Sequence, residues 1–287
     1  MPHVFSRTRL SVWRGQLWRI EVCLLILGLA GILSGMPPRP AAASDSEADG
    51  KWREHKENHF IIYYKSAPED LVVNVADTAE NCYREIAHNL GFSRYNSWSW
   101  ENRAKIYIYD SQEDYVNSSR QAGWSAGEAS TREKVIRTFP SAAGFFDSVL
   151  PHEMGHIIFR EFIGARADVP LWLEEGVAMY QEKAKRWGAD EFVRHAIAEK
   201  QFLPLPELSQ MKLSSASSNR EVNLFYAEAA SAFQFLFKEG GDRHFVEFCE
   251  ELQKNDKFAE TFRRVYGRFE TLERLNQKWL EYLKKGN

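Results

Sequence analysis

Near residue 144 the hydrophobic period of the chain changes, which restricts it to folds that separate strands from helices along the sequence. Before that point His59-Phe60-Ile61-Ile62-Tyr63-Tyr64 is β-branched and aromatic and reads as a strand. Pro68 then opens a helical pattern through Leu71, Val75, Ala79, Cys82, Ile86 and Leu90, which Gly91 stops. Residues 104–109 alternate as a second strand, and Asp110 or Ser111 is placed to cap a short helix around Tyr115. Residues 124–131 and 134–139, separated by Arg132-Glu133, predict a hairpin or two neighbouring edge strands. From Gly144 onward the pattern is helical almost throughout, over 145–163, 173–184, 190–200, 223–239, 244–253 and 272–285. The expected fold class is α+β: a strand-rich lobe over about 52–143, then an all-helical lobe over 144–287 that begins with the most chemically loaded helix. A site is expected in the cleft between the lobes.

Residues 1–43 are sequence of another kind. Arg7, Arg9, Arg14 and Arg19 precede an apolar run from Val22 to Leu33, followed by Pro37, Pro38 and Ala41-Ala42-Ala43. This is the order of a signal peptide, with cleavage expected after Ala43. The apolar run falls short of the roughly 20 residues that span a bilayer comfortably, so a retained membrane tether is the alternative. In either case residues 44–287 are expected outside the cytoplasm, in a periplasm, at a cell surface or secreted, and in contact with a membrane only through the N-terminal segment. Loss of five arginines against one glutamate takes the formal net charge from −3 to −7, so the surface is expected to be mildly acidic and nucleic acid, which demands a clustered basic face, is not an expected partner. Of the three cysteines, Cys82 and Cys249 remain beyond the signal, and both sit in helical patterns as a candidate bridge or as small buried residues.

Chemistry concentrates in Pro151-His152-Glu153-Met154-Gly155-His156, a His-Glu-x-x-His motif flanked by apolar residues. Positions i and i+4 share a helical face with about 6 Å of rise between them, so both imidazoles can reach one cation at the roughly 2.0–2.1 Å that zinc requires. Glu153 stands beside the first ligand, where it can deprotonate the attacking water. A catalytic zinc needs a third protein ligand and an open position. Leu171-Trp172-Leu173-Glu174-Glu175-Gly176 supplies two candidates after the turn marked by Pro170, and adjacent helical residues point about 100° apart, so only one of them ligates comfortably.

With these two segments the chain resembles the gluzincin clan of metallopeptidases, in particular the peptidase-MA-like family, and more distantly the membrane alanyl aminopeptidases. There the two-histidine helix is followed by Trp-Leu-x-Glu-Gly, and the glutamate before the glycine is the third ligand. The resemblance implies a zincin-like fold, one catalytic zinc on His152, His156 and Glu175, Glu153 as general base, and a peptide or protein substrate. It puts Glu174 outside the ligand set. A metzincin would carry glycine and histidine where Phe159 and Phe162 stand. The resembled aminopeptidases add a tyrosine that stabilises the oxyanion, and Tyr226 is the match in kind; packing in an apolar helix is the alternative, and His195 and His244 are further candidates. The resemblance also implies that an edge strand, 124–131 or 135–139, pairs with extended substrate. Glu128 stands about where those enzymes bind a free amine, yet Ala126-Gly127-Glu128-Ala129-Ser130 lacks their Gly-x-Met-Glu-Asn pattern. Trp98 and Trp100 are expected to pack their loop on the core.

The resulting expectation is an exported zinc metallopeptidase. Two other functions share the same residues: an exported zinc-binding or peptide-binding protein without catalysis, and a zinc hydrolase of a non-peptide substrate. Glu153 argues against the first, since a purely structural metal site has no use for it.

Overall fold

The computed structural model describes residues 51–92, 98, 102–119, 127–139, 144–164, 166–182, 188–213, 217–255 and 257–286. The predicted signal over 1–43, together with Trp100, Trp124 and the side chain of Glu128, lies outside that description. Five strands build one mixed sheet in the order β1-β2-β3-β5-β4. They are β1 (Arg53–Lys56), β2 (Phe60–Tyr64), β3 (Ala104–Ile108), β4 (Gly127–Ser130) and β5 (Val135–Thr138). β2, β3 and β5 run parallel, while the edges β1 and β4 pair antiparallel. The predicted hairpin is therefore β4–β5, and its edge member is β4; β5, in the 135–139 segment, lies inside the sheet.

Register places Ile62, Ile106 and Ile136 side by side on one face, all fully buried. α1 (Glu69–Asn89) packs against β2 and buries Val72, Val75, Ala79 and Ile86, the stripe its 3.6-residue period dictates. Its first turn carries Glu69 and Asp70, whose charge suits the positive end of the helix dipole. Trp98 packs on Phe60 and Tyr83, with ring centroids at 5.6 and 4.8 Å, and its indole donates to Glu161. Trp98 is held on the core as expected.

After the short α2 (Gln112–Ser119), the helical region opens with a π turn at Phe145–Val149 that runs into α3 (Leu150–Ile163). α4 (Leu171–Gln181), α5 (Ala189–Ala198), α6 (Leu205–Leu208), α7 (Asn219–Asn255), α8 (Phe258–Val265) and α9 (Leu272–Lys285) follow. The two helices predicted over 223–239 and 244–253 both form and meet at a kink at Gly241, whose φ of 71° suits a residue without a Cβ. α3 packs against α1, α4 and β4, so it lies between the sheet and the helical lobe. Cys82 and Cys249 are not joined by a disulfide, and burial pushes the Cys249 thiol pKa up. No described helix is long and apolar enough to cross a membrane.

Candidate metal centre

α3 is buried around nearly its whole circumference. Met154, Ile157 and Phe159 fill the core, yet the same turns bury His152, Glu153 and His156 at 5, 2 and 3% exposure. Enclosing three titratable groups in one stretch of helix is costly unless each finds a partner. The geometry supplies one answer for the two histidines: His152 Nε2 lies 3.1 Å from His156 Nε2, and each lies 3.5 Å from Glu175 Oε2 on α4. A tetrahedral cation with bonds of about 2.0–2.1 Å separates its ligand atoms by about 3.3–3.4 Å, which is the size of this triangle. Glu175 is 1% exposed, and apart from the two imidazole nitrogens at 3.5 Å its Oε2 has no partner among the described residues. A buried carboxylate oxygen in that position calls for a cation. The three residues thus form a set able to hold a metal ion.

Glycines bring the ligands together. A Cβ on Gly155 would stand 3.0 Å from Ala178 Cα and 3.1 Å from Gln181 Cγ, so its absence lets α3 and α4 approach beside His156. A Cβ on Gly176 would stand 2.6 Å from the Ala229 carbonyl oxygen and 2.7 Å from Phe233 Cβ. Hence α7 can pack directly on α4 beside Glu175. Tyr226 lies one turn before Ala229 on the same side of α7, is buried, and packs edge-on against Phe225. This side of α7 faces the turn of α4 that carries Glu175. His195 and His244 occupy exposed positions, His195 paired with Glu199 and His244 donating to the Gly240 carbonyl.

Glu174 and Glu175 diverge as neighbours on a helix must. Glu174 turns to Arg160 of α3, whose Nε donates to it while Nη1 donates to the Ala167 carbonyl at 2.8 Å. It is buried and ion-paired rather than solvent-facing. Sequence reasoning missed Glu182, a buried carboxylate whose Oε1 accepts from His152 Nδ1 at 2.9 Å. A signal existed: Glu182 stands seven residues after Glu175, close to the same helical face. The bond fixes the ring so that Nε2 presents its lone pair to the triangle. Burial alone would push the His152 pKa down, but hydrogen bonds and charge from Glu175 and Glu182 outweigh it and hold the imidazole well above its usual range. Burial pushes Glu175 up, and the charge of His156 with the hydrogen bonds of both histidines outweighs it and holds the carboxyl low. The pocket therefore demands positive charge, which a proton or a metal cation supplies.

A mixed sheet beside a helical lobe, with His-Glu-x-x-His on the helix between them and a glutamate on the next helix able to complete the set, is the arrangement of a gluzincin-type metal site. Residues 96–285 match the model of the Peptidase MA superfamily, and the chain belongs to that superfamily. No curated protein matches the chain. Among solved structures, a zinc metallopeptidase of the M1 family from Deinococcus radiodurans, crystallised as a mutant, is similar at 15% identity with a TM-score of 0.43. That alignment covers 80% of this chain and 51% of the other, so the chain spans about half the length of that enzyme.

Proposed function

We propose that this chain is an exported zinc peptidase in which His152, His156 and Glu175 hold the metal and Glu153 is the general base. The observation that carries the reading is the triangle of ligand atoms at 3.1–3.5 Å with a buried carboxylate, Glu153, next in sequence to its first member. Nitrogen and carboxylate donors of this number and spacing suit zinc. When bound, zinc polarises a carbonyl and acidifies the attacking water. Glu153 takes the proton from that water and passes it to the leaving amine. Tyr226, one turn from the contact between α7 and α4, donates to the oxygen on which negative charge develops. Extended substrate pairs with β4, the sheet edge that lies along α3. Export rests on the arginines, apolar run and alanines of residues 1–43.

The test combines metal analysis of the purified protein with digestion of a broad peptide library. About one zinc per chain is expected, with cleavage abolished in Glu153→Gln while the metal stays bound. For Tyr226→Phe, kcat is expected to fall about 10²-fold or more with KM little changed. Zinc without any cleavage by the wild type would leave a binding protein, and a chain that takes up no zinc would undo the site.

A further inference from the structure

Immediately before α3 the backbone widens into the π turn Phe145–Val149, with Val149 N bonded to Gly144 O at 3.1 Å and Leu150 N to Phe145 O. Pro151 is the physical reason. It has no N–H for the carbonyl of Asp147 four residues earlier, and its ring crowds that carbonyl, so the preceding turn opens to i→i+5 bonding. In this turn stands Ser148, four residues ahead of His152, and its Oγ donates to Glu182 Oε2. The other oxygen of Glu182 accepts from His152 Nδ1 at 2.9 Å. A chain of contacts thus runs from the Ser148 hydroxyl through one buried carboxylate to a ligating imidazole.

We propose that Ser148 is a positioning residue for the metal centre: by holding one oxygen of Glu182 it keeps the other on His152 Nδ1, and so keeps Nε2 aimed at His156 and Glu175. The proposal rests on the reading of His152, His156 and Glu175 as the metal ligands. The Ser148 hydroxyl holds one oxygen of Glu182 in place, and the other oxygen orients the His152 ring through Nδ1. Without the hydroxyl, one oxygen of a buried carboxylate loses a donor, and the side chain gains freedom to turn away from the ring.

The experiment measures zinc affinity by competition with a chromogenic chelator on the full chain, and records the visible spectrum of the cobalt-substituted protein. Ser148→Ala is expected to bind zinc about tenfold more weakly with an altered cobalt spectrum, at the low end of what outer partners of metal ligands contribute. Ser148→Thr, which restores the hydroxyl, is expected to return to within about twofold of the wild type. In a Glu182→Ala background Ser148→Ala should add nothing, because the hydroxyl acts only through that carboxylate. Melting of the metal-free proteins in excess chelator reports whether the fold survives. Should the alanine variant melt early, Ser148→Cys, of similar shape but a weak donor, is expected to show the same tenfold loss. Unchanged affinity in Ser148→Ala, no recovery in Ser148→Thr, or an equal loss in both backgrounds would each overturn the proposal while leaving the ligand set intact. A wild type that takes up no zinc would remove the ligand set and this proposal together.

Discussion

Glu174 and Glu175 are chemically identical and one residue apart, yet the fold gives them different work. The helical turn of about 100° sends one towards Arg160 and the other towards two imidazoles. Glu175→Ala is expected to weaken zinc binding by 10²-fold or more, since it removes one of three protein ligands. Glu174→Ala should leave zinc affinity within about threefold but lower stability by roughly 1–3 kcal/mol, because Arg160 loses its ion-pair partner in a half-buried setting. Chelator competition and denaturant unfolding on both variants separate the two effects. The reverse pattern would move the ligand by one residue. This assignment was legible in sequence because spacing and the following glycine marked Glu175. Ser148 was not, and Glu182 was marked only by its place seven residues after Glu175, because their value arises when the C-terminus of α4 meets the turn before α3.

At the scale of elements, the ligands depend on two close helix contacts. Gly176 meets the Ala229 backbone so tightly that Gly176→Ala must push α7 and α4 apart. The expected cost is about 1–3 kcal/mol, the usual range for overpacking, with weaker zinc retention because Glu175 moves with its neighbour. Urea unfolding with and without chelator reads both, and an unchanged midpoint would show that the contact has slack. Long apolar periods revealed β2, α1, β3, α3 and α9 in the sequence, since each buries a face large enough to impose its repeat. β1 left no such mark: Arg53-Glu54-His55-Lys56 is an edge strand with little to bury, held by pairing with β2. α6, at four residues, is fixed by tertiary packing, whereas α8 is strongly amphipathic but at eight residues is too short to stand without its neighbours.

Across the whole molecule, a second set of buried and half-buried polar groups ties the helical lobe together on the other side of α7. Ser231 and Tyr282 both donate to Asp190 at 2.6 Å, and Trp279 donates to Ser231 at 3.0 Å, so α5, α7 and α9 share one network. Glu228, one turn before Ser231, accepts from Leu203 N at 2.9 Å, while its Oε2 has no partner among the described residues. Burial, opposed by that single backbone bond, pushes its pKa up to about 8. The folded chain therefore holds a proton that the unfolded chain releases above about pH 4.5. This group's contribution to stability is greatest below that pH and is lost as pH rises to about 8. Glu228→Gln cannot ionise. Its unfolding free energy is expected to diverge upward from that of the wild type between about pH 5 and 8, by at most about 1.4 kcal/mol per pH unit. Denaturant titrations across that range check it, and parallel curves would show that Glu228 is ionised in the fold.

β4 is a sheet edge beside α3, and its described backbone is four residues long. If extended substrate pairs there as proposed, so short a stretch supplies few main-chain bonds, and capture by backbone pairing alone would be brief.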